Sequence, residues 1–318
     1  MRYKKFGNTG MEVSEMALGT WGIGGAGWDE YTEESRLDAI RAAIECGVNL
    51  IDTAPAYNAG AAERYVGRVL KDMGVREKVY IATKCGTEYI DGAYVRDCSG
   101  ATVLRECDES LRNLQTDYID LYIIHWPDAK VPVEETMQAL NTLKEQGKIR
   151  HIGVSNFSRE QILEAEKFGH IEACQLQYSM VSRGSQAQLQ WAAQQGMGVM
   201  TYGSLGGGIL SGAIRKLETY AAGDSRNRFY KHFQEPTFSK IMKVLETMDQ
   251  ISANRDQVPL SQIAINWAAQ KPFVSTCIVG AQSRRKIEEN AAGFNWDLTE
   301  AESAQLDEAI NKYLGEAE

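Results

Sequence analysis

The chain has no hydrophobic run near the ~18 apolar residues that cross a bilayer, and its opening, MRYKKFGNTG, has no apolar core of the kind a secretion signal carries. No membrane partner is expected, and the cytoplasm is the expected compartment. Proline is scarce, with 6 in 318 residues, and there is no Ser/Gly-rich tract. Nothing marks an interdomain linker, so residues 1–318 are expected to form one domain. Basic charge is in deficit: 34 Lys and Arg stand against 43 Asp and Glu, for a net charge of −9. Nucleic acid and anionic surfaces demand a dense basic face, so neither is an expected partner. The six cysteines (Cys46, Cys85, Cys98, Cys107, Cys174 and Cys277) form no C-x-x-C pair, and the four histidines stand apart from them. That pattern excludes a zinc cluster and argues against a disulfide scaffold, and no metal site is expected. Cys85, next to Lys84, has a redox reading, because an adjacent cation favours the thiolate. The cysteines inside apolar runs read as reduced core thiols.

What the chain does have is alternation. Tyr3–Phe6 and Met11–Ser14 flank the turn-rich Gly7-Asn8-Thr9-Gly10 and predict a hairpin. Eight short apolar runs follow, at Met16–Leu18, Val48–Ile51, Val79–Ala82, Ile119–Ile124, His151–Val154, Ala173–Leu176, Val199–Thr201 and Ser275–Val279. Between them lie segments of helical spacing, such as Leu37, Ile40, Ala43 and Ile44 after Thr32-Glu33-Glu34-Ser35, or Val103, Cys107, Leu111 and Leu114. Most intervals match one βα unit of about 30 residues. The last is longer, with a loop from Gly206 to about Pro236 and two helices near Lys240–Asn254 and Leu260–Gln270. Eight units predict an α/β fold of the closed (β/α)8 TIM barrel type, with an N-terminal β-hairpin and extra helices near the C-terminus. Gly22-Ile23-Gly24-Gly25-Ala26-Gly27 also matches G-x-G-x-x-G. A dinucleotide fingerprint runs straight into its helix. Here Trp28–Tyr31 intervene and the helix is expected near Thr32, so the segment reads as a loop at the barrel mouth.

In such a barrel, function sits where strands end at the C-terminal face. The second run ends in Asp52, the third in Lys84, the fourth in His125 and the fifth in Ser155-Asn156; the last three end in Gln177, Tyr202 and Gly280. Taken singly, each has a structural reading: Asp52 could cap the next turn, and a lone strand-end lysine or histidine is usually structural. Jointly they are harder to explain that way, because several ionisable groups in one concavity must pair to offset desolvation. Asp52 and Lys84 can form an ion pair. Tyr57 lies five positions beyond Asp52, in the loop over the rim. A nearby cation is expected to lower its phenol below the reference of about 10 and make it a proton donor near neutrality. His125 can hydrogen-bond a carbonyl oxygen. With no Ser or Cys nucleophile paired to a histidine, a proton donor points to addition at a carbonyl, with hydride from elsewhere.

The ordered segments Leu18-Gly19-Thr20-Trp21, Asn49 to Tyr57, Ala82-Thr83-Lys84, Asp117 to Pro127, Gly147 to Phe157, Gln177-Tyr178, Tyr202 to Gly208 and Ile278 to Asn290 resemble the aldo-keto reductase superfamily over essentially the whole length. The Ile124-His125-Trp126-Pro127-Asp128 segment is similar to its bacterial branch. The resemblance implies an NAD(P)-dependent oxidoreductase that reduces an aldehyde, ketone or sugar-like carbonyl reversibly. It assigns Tyr57 as acid, Lys84 as its tuner, Asp52 as the holder of Lys84, and His125 as the group that orients the carbonyl. It also implies cofactor contacts from Gly19, Thr20, Trp21 and Asp52 beside the nicotinamide, with Ser155, Asn156 and Gln177 on its carboxamide and Tyr202 stacked on its ring. The pyrophosphate falls to Gly203, Ser204, Leu205 and Gly206 in the Gly203–Gly208 loop, and the adenine end to Gly280, Gln282, Ser283, Lys286, Glu289 and Asn290.

Three departures from the family pattern are visible. Asn58 stands where Gly usually follows the acid Tyr, and Gly60-Ala61-Ala62-Glu63 stands for Gly-x-Ser-Glu. A third concerns the cofactor: Gln282 occupies a place where many relatives have Arg or Lys, although Arg284, Arg285 and Lys286 follow. NADP(H) is favoured over NAD(H), with replacement of Arg284 and Lys286 expected to weaken NADPH more. The substrate pocket is expected from Trp21, Trp28, Tyr57, His125, Trp126 and Phe157, with loop residues around Phe229–Phe233. The partner is then a small-molecule carbonyl or alcohol, and oligomeric state is open. Two rival classes remain at this point: a cofactor-binding regulatory subunit of the same fold with little turnover, and a metal-dependent barrel isomerase or hydrolase.

Overall fold

The computed structural model describes residues 1–25, 31–90, 93–220 and 230–315. Eight parallel strands close into a barrel in chain order: β3 (Met16–Gly19), β4 (Leu50–Asp52), β5 (Tyr80–Cys85), β8 (Ile119–Ile124), β9 (Ile149–Ser155), β10 (Ala173–Gln177), β11 (Gly198–Tyr202) and β12 (Thr276–Gly280), which pairs back onto β3. Helices cover the outside, so each strand is buried on both faces and reads as a continuous apolar run. In β8, Leu121 and Ile123 point into the barrel, while Tyr122 and Ile124 pack outward against the helical layer. Each such buried aliphatic side chain contributes roughly 1.5–3 kcal/mol. The expected helices form where the apolar stripes lie. Thr32 caps Glu33–Glu45 by accepting from the Ser35 N–H, and Leu37, Ile40 and Ala43 are buried; Val103, Cys107 and Leu114 line the buried face of Gly100–Leu114. The late helices span Thr237–Ala253 and Leu260–Ala269.

The N-terminal hairpin, β1 (Tyr3–Lys5) with β2 (Glu12–Ser14), plugs the bottom of the barrel. Phe6, Met11 and Val13 join the interior cluster of Leu50, Ala82, Leu121 and Met200. Gly198 is glycine because a β-carbon there would sit 2.4 Å from the Phe6 ring.

Two features depart from expectation. Trp21–Gly24 forms a single helical turn instead of an irregular loop, and Gly25 after it takes a left-handed φ of 100°. A β-carbon on Gly24 would lie 3.0 Å from the Tyr57 carbonyl, so this glycine lets the Tyr57 loop approach. The second is a hairpin at the barrel mouth, β6 (Thr87–Ile90) with β7 (Ala93–Arg96), absent from the eight-run pattern. Its Tyr89, Ile90, Tyr94 and Val95 are exposed, so it carries none of the alternation that a core-packed strand shows. Among the described residues no helix is long and apolar enough to cross a membrane.

Candidate active site

The expected catalytic residues converge at the C-terminal mouth. Asp52 closes β4, which pairs with β5 in the register Asp52 to Ala82. Lys84 stands two residues further along β5, on the same face, and its stem reaches back across the gap. Its ammonium donates to Asp52 Oδ2 at 2.8 Å, to the Thr53 carbonyl at 2.8 Å and to the Tyr57 hydroxyl at 3.1 Å. Lys84 is wholly shielded from solvent and Asp52 nearly so. Three donor directions, three acceptors: the buried charge is fully partnered.

Tyr57 is delivered by the loop after β4. Its N–H donates to the Ala54 carbonyl, and Asn58, Ala59 and Gly60 then adopt left-handed φ values of 54°, 48° and 74°, turning the chain into the helix Ala61–Met73. Asn58 is among the residues that tolerate this conformation. Its side chain also donates to the Gly24 carbonyl at 2.7 Å, which ties the acid loop to the helical turn after β3. The departure from glycine is thus compensated locally. Glu63 of that helix is buried and accepts from Thr83 at 2.7 Å and Asn113 at 3.0 Å.

The phenol differs from expectation in one respect. Burial, reinforced by the Asp52 carboxylate, pushes Tyr57 well above the ordinary phenol range. Lys84, an ammonium also shared with Asp52 and Thr53, does not offset that rise, and burial pulls its own affinity for a proton down. Tyr57 is therefore a neutral, proton-bearing hydroxyl at pH 7. His125 follows β8, and its ring stands edge-on to Tyr57 with centroids 5.9 Å apart. Burial, then the positive charges of Lys84 and Arg96, hold its imidazole well below the usual value, so it is neutral. Its Nδ1 is shielded from solvent and has no hydrogen-bond partner among the described residues.

Next to this group lies a ring of amide and hydroxyl groups. Asn156, at a left-handed φ of 62°, donates to the His125 carbonyl and to Ser155 Oγ, both at 3.0 Å, and accepts from the Tyr202 hydroxyl at 2.8 Å. Gln177 ends β10 with its side-chain amide against Gly203. Gly203, Gly206, Gly207 and Gly208 all have positive φ, and the Ser204 hydroxyl donates to the Ile278 carbonyl, pinning the loop to β12. Gly280 ends β12 in the open. Ser283 then caps the helix Arg284–Ala292 without using its side chain. Free N–H groups at a helix start suit a phosphate. Thr20 bonds the Asp52 carbonyl through both its N–H and its hydroxyl, and Gln282 folds over Gly22. An unpartnered imidazole nitrogen, a glycine cradle and an open helix start fit a dinucleotide.

Other expected residues separate. Lys286 is exposed and donates to the Tyr31 hydroxyl at 3.1 Å, Glu289 lies 3.9 Å from Arg285, and Asn290 is buried. Arg284 is committed elsewhere: it bonds Asp38 at 2.7 Å, Glu45 at 2.7 Å and Glu288 at 3.3 Å, which withdraws it from the phosphate role. Trp21 is half-buried and bonds the Tyr94 side chain. Trp126 lies beneath the Arg96 guanidinium. Phe157 packs in the layer between barrel and helices rather than lining the mouth. Tyr230 and Phe233 meet edge to face near Gly207, while Trp28 and Phe229 lie outside the described residues. Cys85 is fully buried and burial raises its thiol far above the usual range, which removes the redox reading.

Three residues near the site escaped the sequence pattern. Gln175, inside β10, donates to Asp52 Oδ1 at 2.8 Å, and Ser155 Oγ approaches its carbonyl oxygen at 3.5 Å. The available signal was a lone amide in the apolar run Ala173–Leu176, two positions before Gln177 and so on the same face. Tyr94 and Arg96 come from the unexpected hairpin.

Comparison with known proteins agrees with the fold. The profile of the Aldo/keto reductase family matches residues 15–311. The protein named aldo-keto reductase YhdN of Bacillus subtilis is 34% identical over 317 residues, spanning 99% of this chain and 96% of the relative. The NADH-specific methylglyoxal reductase of Escherichia coli is 33% identical, spanning 97% of this chain and 98% of that protein. The glycerol dehydrogenase AKR11B4 of Gluconobacter oxydans superimposes with a TM-score of 0.90 at 30% identity, covering 99% of this chain and 97% of its own.

Proposed function

The chain belongs to the aldo/keto reductase family, and from that premise we propose that it reduces the carbonyl of a small aldehyde, ketone or sugar-like substrate to the alcohol, reversibly. The observation that carries this reading is the Lys84 ammonium, 2.8 Å from Asp52 Oδ2 and 3.1 Å from the Tyr57 hydroxyl. When bound, a nicotinamide dinucleotide supplies the hydride. The residues of this chain do the rest. Neutral His125 donates a hydrogen bond to the carbonyl oxygen and sets its direction. The Tyr57 hydroxyl passes its proton to that same oxygen as negative charge develops there, and the Lys84 cation stabilises the phenolate left behind. Asp52 keeps Lys84 in place. Ser155, Asn156 and Gln177 hold the carboxamide, Tyr202 the nicotinamide face, and Gly203–Gly206 with the start of the helix Arg284–Ala292 the phosphates.

NADP(H) is the favoured cofactor in this reading. With Arg284 withdrawn, the preference rests on Lys286, exposed on the first turn of that helix; the name of the Escherichia coli relative shows that family members also take the opposite choice. Six unpaired cysteines, five of them buried, support a reducing compartment such as the cytoplasm. A single barrel domain spanning 1–318 is the unit proposed to act.

The test is a panel of aldehydes, ketoses and, in reverse, polyols, each with NADPH and NADH, followed by the absorbance of the reduced nicotinamide. Turnover insensitive to chelators is expected, and Lys286→Ala should narrow the preference for NADPH by on the order of tenfold. No consumption of either cofactor across the panel would overturn the reading, and equal loss for both cofactors in Lys286→Ala would overturn the assignment of Lys286.

A further inference from the structure

We infer that Arg96 is a substrate-recognition residue and that the substrate class is a carbonyl compound that also bears an oxyanion, carboxylate or phosphate. This rests on the reductase reading above and narrows it.

Tyr94 and Arg96 are two apart in β7, so they share one face of the mouth hairpin. Independent contacts turn that face toward the site. Tyr94 bonds Trp21 and lies close enough to Tyr57 to raise its phenol. The Arg96 guanidinium lies over the Trp126 ring at 4.9 Å from the centroid, and its charge acts on the neighbouring His125. Trp126 directly follows the residue that orients the carbonyl, so the cation is anchored beside the reacting group.

Among the described residues that cation has no counter-charge. The acidic groups around it are engaged elsewhere. Asp97 accepts from the Ser99 N–H at 2.9 Å and from the Thr102 hydroxyl at 2.6 Å. Asp128 accepts from the Cys98 N–H at 3.2 Å and the Lys130 N–H at 2.9 Å. Glu88, across the hairpin, pairs with Arg105 at 3.0 Å. Among the described residues the Arg96 side chain has neither a hydrogen-bond nor an ion-pair partner. Stacking on an indole leaves the in-plane N–H fork of a guanidinium open, and that fork matches a carboxylate or phosphate with two parallel bonds.

The experiment compares two pairs of substrates at saturating cofactor: succinic semialdehyde with its methyl ester, and glycolaldehyde phosphate with glycolaldehyde. Wild type is expected to prefer the charged member of at least one pair in kcat/KM, and the pair that shows it identifies the anion. Arg96→Gln should cut that preference by on the order of 10- to 100-fold. Arg96→Lys should restore part of it, since it keeps the charge and loses the fork. Equal use of charged and neutral members by wild type, or a loss in Arg96→Gln that is the same for both, would overturn this inference and leave the reductase reading standing. No cofactor consumption with any of the four, nor across the wider panel, would bring down both.

Discussion

Among single side chains, protonation state is the property that the site controls most closely. Tyr57 is held well above the usual phenol range by burial and by Asp52, and His125 well below the usual imidazole range by burial and by two cations. The sign of the pH dependence follows. Reduction needs Tyr57 protonated and His125 neutral, so it is present between the two shifted values, lost as pH falls through the lowered imidazole value and lost as pH rises through the raised phenol value. Alcohol oxidation needs the phenolate and should rise with pH over that same limb. The predicted profile of kcat/KM for reduction is flat from about pH 6 to about pH 10, with no inflection near the free-imidazole value of about 6.5. A limb at that value, or loss of reduction beginning near pH 8, would contradict it. Asp52, Lys84 and His125 were legible because ionisable residues ending apolar runs stand out against their surroundings, and Tyr57 because it follows Asp52 in the loop over the rim. The direction of the Tyr57 shift was not, because it depends on burial and on Asp52 and Tyr94 beside the phenol, and only packing settles those.

Secondary-structure elements divide in the same way. All eight barrel strands and the helical stripes could be read, because burial on both faces or one leaves a periodic apolar record. The mouth hairpin left none: its large side chains face solvent or the site, and Tyr94 is 57% exposed. Yet it brings Tyr94 and Arg96 over the catalytic group. Its effects should therefore separate from stability. Tyr94→Ala removes a contact to Trp21 and almost no core area, so thermal stability should change by no more than about 0.5 kcal/mol. KM should rise severalfold while the cofactor Kd holds. A large fall in melting temperature with unchanged KM would show that the hairpin is a structural prop. The internal amide Gln175 was hidden for the opposite reason: inside the barrel, one polar residue in an apolar run is masked by its neighbours.

For the molecule as a whole, the two ends of the barrel have different tasks. The bottom is closed by the N-terminal hairpin, where Phe6 fits against Gly198 and Arg2 reaches Asn266 at 3.0 Å. Phe6→Ala should cost about 3–5 kcal/mol in chemical denaturation and leave the kinetics of the folded fraction intact. A change in kcat at constant stability would contradict that division. The top gathers its chemistry from separate strands: Asp52 from β4, Lys84 from β5, His125 after β8 and Asn156 after β9, with Tyr57 laid over them by a loop. The central claim is that this assembly places one proton, on Tyr57, within reach of the carbonyl oxygen as hydride reduces its carbon. Tyr57→Phe deletes that hydroxyl and almost nothing else. Measured as kcat and cofactor Kd on the folded variant, the account predicts a loss of about 10²–10⁴-fold in kcat with Kd near wild type; a folded Tyr57→Phe protein that binds cofactor and still reduces carbonyls at the wild-type rate would contradict it.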